Sequence, residues 1–128
     1  MISTEERRPT DIYEAELLIS VAQKMMKTLK FPVYVSDKFY ETDIDVLDLT
    51  TRGMNGLKRS GIRTIGELID YITGPDSLLH IRGMGKKTAD EILHRVYLYQ
   101  YSILPKERRG DYLFKVMELN GMNICLVC

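Results

Sequence analysis

Apolar residues recur at helical spacing along the first quarter of the chain. Ile12, Ala15, Ile19, Ala22, Met26 and Leu29 follow one another alternately at three and four positions, and Leu18 and Met25 widen the stripe. Such a pattern predicts an amphipathic helix that buries one face. Pro9, then Thr10 and Asp11, with Glu14 for a first-turn role, predict its start near residue 10. Its end must precede Pro32, because a proline pushes the preceding residue out of helical geometry. The stripe is short for a coiled coil, so packing on its own domain is expected ahead of dimerisation. Residues 31–40, with Val33, Tyr34, Val35 and Phe39, read as an extended connector or short strand. An acidic stretch, residues 37–48, follows, and Ile44, Leu47 and Leu49 then lead into a central module.

Within that module, Thr50 or Thr51 can cap a helix running to about Ser60, with Gly61 as its stop. Thr64-Ile65-Gly66-Glu67 is a capping-box pattern opening a second helix through Tyr71 or Ile72. Pro75 suits the first turn of a short third helix ending near His80. A fourth is expected over residues 86–100, with Ala89, Ile92, Leu93 and Val96 facing inward. A last helix over residues 106–119 stops at Asn120-Gly121. The expected organisation is an N-terminal helix and connector over 1–42, a module over 43–100 and a helical extension over 101–128. The fold class is all-α: a compact helical bundle with added helices at both ends.

Between the third and fourth helices lies Ile-Arg-Gly-Met-Gly-Lys-Lys-Thr, residues 81–88. Gly83 and Gly85 can fold a tight hairpin because glycine reaches backbone conformations that other residues avoid. The first-turn amides of the next helix would point outward beside Lys86, Lys87 and the Thr88 hydroxyl, a ready site for a phosphate oxygen. A cation at a helix start opposes the macrodipole, which favours a bound anion at Lys86-Lys87. The segment resembles the helix-hairpin-helix motif, whose usual role is gripping a nucleic-acid backbone without reading sequence.

Net charge is zero, with 18 Lys+Arg and 18 Asp+Glu, but its distribution is uneven. Residues 1–50 carry 6 basic against 10 acidic side chains, residues 51–100 carry 8 against 5, and residues 101–128 carry 4 against 3. The basic excess therefore falls on the segment with the hairpin, and local field governs binding more than the total. No apolar run is long enough to span a bilayer. No signal-peptide core follows the charged N-terminus, and the two cysteines form no disulfide framework, so a cytoplasmic location is expected. His80 and His94 have no partner at ligand spacing. Cys125-x-x-Cys128 stands without a second ligand pair, so no metal or other cofactor is expected. Tyr97, Tyr99 and Tyr101 are expected to cover a core.

Residues 45–58 read Asp-Val-Leu-Asp-Leu-Thr-Thr-Arg-Gly-Met-Asn-Gly-Leu-Lys, followed by Ser60-Gly-Ile-Arg-Thr-Ile-Gly-Glu-Leu and then the hairpin at residues 83–92. In this order the motifs closely resemble the C-terminal domain of the bacterial RNA polymerase alpha subunit, over roughly residues 43–96. The resemblance implies a SAM-like helix-hairpin-helix module that binds the minor groove of A/T-rich duplex DNA in bacterial transcription. It implies DNA-contacting positions at Arg52, Asn55, Lys58, Gly85, Lys87, Thr88 and Glu91, and Gly56, Gly83 and Lys86 complete the candidate DNA-binding set. Asp48 matches an acidic position used against sigma factor. Gly56 stands where the family often has a side chain at the DNA surface, and Gly83 where it has asparagine. Gly53 and Gly56 each lower helix propensity by roughly 1 kcal/mol relative to alanine. The family's large amino-terminal assembly domain has no counterpart in these residues, so a freestanding relative is expected.

Physically, Arg52, Asn55 and Lys58 or Arg59 share one helical face, and a guanidinium gains from the negative potential of a narrow A-tract groove. The alternative is a protein-interaction module docking on sigma factor, RNA polymerase or an activator, which the acidic 37–48 stretch favours. An enzyme is the least favoured class, since no lysine-nucleophile pocket, carboxylate cluster or zinc pattern is evident. Oligomeric state is not legible in the pattern.

Overall fold

The computed structural model describes residues 4–74 and 76–122. Among the described residues there are six α-helices: α1 (Thr4–Lys24), α2 (Asp37–Glu41), α3 (Thr51–Arg59), α4 (Ile65–Tyr71), α5 (Lys86–Ile103) and α6 (Lys106–Leu119). Short 3-10 helices cover Ile44–Leu47 and Ser77–His80. The fold is all-α, as the periodicity predicts. An isolated antiparallel bridge between Asp43 and Thr64 is its β-type pairing among the described residues. The chain divides into two units, one of residues 34–99 and one in which residues 1–33 join residues 100–128.

In the 34–99 unit, α2, α3 and α4 each start on a side chain that satisfies an orphan amide. Thr64 accepts from the Glu67 amide at 3.1 Å, while the Glu67 carboxylate accepts from the Thr64 and Arg63 amides at 3.2 and 2.8 Å. This is the reciprocal capping box its sequence predicts. The end of α3 is set by Gly61, whose φ of 82° is left-handed. The Gly61 amide donates to the Lys58 carbonyl at 3.0 Å and the Ile62 amide to the Leu57 carbonyl at 2.9 Å, the paired bonds of a Schellman stop. Ile44, Leu57, Ile65, Leu68, Ile92 and Tyr97 are fully buried and form the centre of this unit's core. Ala89 and Val96 are buried as expected, and Leu93 is half-buried.

Residues 37–41 are helical rather than extended. Ser36 caps α2 by accepting from the Phe39 amide at 3.1 Å, but five residues are too few to show a helical period in sequence. Packing holds the element instead. Phe39 is buried and stacks on Tyr99 with ring centroids 6.0 Å apart. Tyr40 lies over Gly66 of α4, and its hydroxyl donates to Asp70. The segment after α2 is tied down by two backbone bonds, Ile65 amide to Thr42 carbonyl at 2.8 Å and Ile44 amide to Arg63 carbonyl at 3.0 Å.

In the other unit, α1 begins at Thr4, ahead of the start that Pro9 suggested, and stops at Lys24. Ala15, Leu18 and Ala22 of the stripe are buried. Met26 is not: its φ is 57° and it is 93% exposed. The Lys27 amide donates to Ala22 and the Met26 amide to Gln23, each at 3.0 Å, so the helix closes in a Schellman turn before the stripe reaches Met26. Asn120, just past α6, then clamps the following segment. It accepts from the Lys30 amide at 2.8 Å and donates to the Lys30 carbonyl at 2.7 Å. The Tyr112 hydroxyl donates to the Pro32 carbonyl at 2.8 Å. The corner before α6 is held by Arg109, which donates to the Ser102 and Leu104 carbonyls at 2.8 and 3.2 Å and lies over the Tyr101 ring. Helix α6 ends at Asn120-Gly121 as predicted, with Gly121 at φ 63°. Cys125 and Cys128 lie outside the described residues. No helix among the described residues is long and apolar enough to cross a membrane.

Candidate nucleic-acid interface

Helix α3 is the centre of the site. Its cap, Thr50, accepts from the Gly53 amide at 3.4 Å and donates to Glu91 Oε1 of α5 at 3.1 Å. Gly53, Gly56 and Leu57 are buried, whereas Arg52, Asn55, Lys58 and Arg59 are exposed. The two faces follow from spacing, since residues three and four apart share a side.

The inward glycines decide what that outward face lies beside. A Cβ on Gly53 would stand 3.4 Å from Thr88 Cγ2 and 3.6 Å from Ile92 Cδ1. A Cβ on Gly56 would stand 2.9 Å from Met84 Cε and 3.7 Å from Ile81 Cγ2. Helix α3 thus rests on the first turns of α5 through Gly53 and on the hairpin through Gly56. From sequence these glycines register as lost helix propensity, and Gly56 also as a position at the DNA surface; the structure turns both inward, with their contacts across the fold. Gly56 faces Met84 and Ile81 and offers the surface no side chain.

The hairpin follows the Ser77–His80 turn. Leu78, Ile81 and Met84 are buried and anchor it, and the Met84 amide donates to the Ile81 carbonyl at 3.0 Å. Gly83 is left-handed at φ 81°, and a Cβ on Gly85 would meet nothing within 4 Å. The Ala89 amide donates to the Gly85 carbonyl at 3.0 Å, so the amides ahead of it, at Lys86, Lys87 and Thr88, precede the first intrahelical bond. The structure therefore packs α3, through Thr50 and Gly53, against Glu91, Thr88 and Ile92 of α5, while Arg52 and Asn55 stay exposed on the same helix.

With this geometry in view, residues 35–97 match the family described as the C-terminal domain of the bacterial RNA polymerase alpha subunit. These residues form an RNA polymerase alpha C-terminal-like domain. Curated relatives are similar over part of the chain. The DNA-directed RNA polymerase subunit alpha of Thalassiosira pseudonana is 43% identical over 56 residues, 44% of this chain and 17% of that protein. Its counterpart from Fusobacterium nucleatum is 39% identical over 77 residues, 60% of this chain and 22% of that protein. That from Carboxydothermus hydrogenoformans is 35% identical over 71 residues, 56% of this chain and 22% of that protein. The chain thus spans about a fifth of the length of these relatives. No solved structure matches it significantly.

Charge pairing within the alpha C-terminal-like domain is selective. Lys58 Nζ lies 3.9 Å from Asp45, and Lys86 Nζ lies 3.0 Å from Asp90. Among the described residues, Arg52, Arg59, Arg82 and Lys87 have no carboxylate within 4.0 Å. Of the two lysines opening α5, Lys87 is therefore the one with an uncommitted charge. Asp48 is exposed and closes the Ile44–Leu47 turn in the left-handed region at φ 53°. On α5, burial lowers the His94 pKa, opposed by Asp90 and Glu91 and reinforced by Lys86. Arg82 is absent from the positions carried by the family likeness; the unpaired charge at the hairpin is its signal.

Proposed function

We propose that the alpha C-terminal-like domain binds duplex DNA in the minor groove of A/T-rich segments, as a non-catalytic element of transcription. One observation carries this reading. Helix α3, which carries Arg52, packs through Gly53 on the opening turn of α5, which carries Lys87, and neither cation has a carboxylate within 4.0 Å among the described residues. Arg52 would enter the groove, where a narrow A-tract concentrates negative potential. Asn55 and Lys58 would contact base edges or backbone beside it. Gly83, Gly85, Lys86, Lys87 and Thr88 would hold a phosphate at the helix start. Glu91 would act through Thr50, fixing the start of α3, and Gly56 by letting the hairpin approach.

The test is a titration of A/T-rich against G/C-rich duplex at several salt concentrations. The reading expects salt-sensitive binding that favours A/T-rich duplex and collapses in Arg52→Ala. Lys87→Ala should weaken both duplexes alike. Unchanged binding in both variants would reject the minor-groove role.

A second reading has the domain dock on sigma factor, RNA polymerase or an activator through Asp48. Asp48 is exposed, as is Asp45, and Val46 between them is 47% exposed. Loss of sigma-factor binding in Asp48→Ala, together with no affinity for duplex, would support that reading over the first.

A further inference from the structure

The hairpin entrance holds two arginines outside the positions that the family likeness carries. Arg59 closes α3, and its Nη2 donates to the Arg82 backbone carbonyl at 3.4 Å. A Cβ on Gly83 would stand 3.6 Å from the same nitrogen, so the guanidinium lies along the left-handed turn itself. The carbonyl takes one of the five guanidinium N–H donors. Arg82 is exposed on that turn. Neither arginine has a carboxylate within 4.0 Å among the described residues, whereas Lys58 and Lys86 do. Two uncompensated guanidiniums therefore flank a segment whose glycines, at 83 and 85, leave the backbone open to approach. Arginine suits this place because its planar donors match phosphate oxygens in pairs.

We propose that Arg59 and Arg82 form a second phosphate contact at the hairpin entrance, lengthening the stretch of nucleic-acid backbone held beyond Lys87. The inference rests on the DNA-binding reading above. Its contribution is independent of base sequence, since phosphate contacts position without reading bases.

The experiment measures duplex affinity between 50 and 200 mM salt, over A/T-rich and G/C-rich duplexes, for the parent protein, Arg82→Ala, Arg59→Ala and Arg52→Ala. Removing one phosphate contact should reduce the slope of log affinity against log salt by about 0.9. Arg82→Ala and Arg59→Ala should then each lose about 3-fold less affinity than the parent across that range, equally for both duplexes. Arg82→Ala keeps the backbone carbonyl that Arg59 uses, so it reports the charge alone. If Arg82→Ala and Arg59→Ala keep the parental slope while Arg52→Ala weakens binding, the second contact is refuted and the minor-groove reading stands. An affinity loss in Arg59→Ala without a change of slope makes that arginine a brace only, which also overturns the proposal. A parent protein without salt-sensitive duplex binding overturns both.

Discussion

His94 shows how one residue on α5 carries a pH signature set by its surroundings. Burial holds its pKa below the ordinary value of 6.5; Asp90 and Glu91 push the other way and Lys86 adds to the lowering. Below pH 6.5 the unfolded chain takes up a proton at this position that the folded protein resists. The associated stability is therefore full above 6.5, falls as pH drops below it, and levels off once the folded imidazole protonates. Urea midpoints measured from pH 7.5 to 5 should fall less steeply in His94→Gln than in the parent. An equal decline would assign the pH dependence to other groups. The identity of His94 was plain in the sequence, but its half-buried setting was not, because burial belongs to the assembled fold. The same holds for Met26, whose place in an apolar stripe gives no hint that the helix closes before reaching it.

Elements differ in how far local sequence specifies them. Helices α3, α4 and α6 follow their predicted bounds closely, since caps and stops act within a turn of themselves: Thr50, Thr64 with Glu67, Gly61 and Gly121. Helix α2 looks extended from its sequence because its support is distant. Tyr40 spans Gly66 and donates to Asp70, a bond that also raises the Tyr40 pKa. A methyl at Gly66 would overlap the Tyr40 ring. Gly66→Ala should therefore destabilise the protein by roughly 1–3 kcal/mol, the usual cost of overpacking, despite alanine's better helix propensity. In a Tyr40→Ala background the same change should cost little or stabilise. Purely additive chemical-denaturation energies in that double-mutant cycle would show that the α2–α4 contact does not govern the position.

Across the whole molecule, a net charge of zero conceals a division that bears on binding. The acidic excess lies in residues 1–50 and the basic excess in 51–100. The fold sets one acid, Asp45, against a candidate interface cation, Lys58, at 3.9 Å. Both partners are largely exposed, and pairs of this kind are worth about 0.2–1 kcal/mol. Asp45→Asn should then tighten duplex binding by up to roughly fivefold and steepen its salt dependence. Unchanged affinity would mean that Lys58 does not depend on its acidic neighbour. The helical class, most caps and stops, and the family likeness are legible in the residues alone, because each is written in short-range spacing or in motif order. Which charges stay unpaired, why α3 carries two inward glycines, and the sharing of one unit by residues 1–33 and 100–128 emerge from the folded packing. Those outcomes depend on residues tens of positions apart reaching van der Waals or hydrogen-bond distance, and no local pattern encodes such distances.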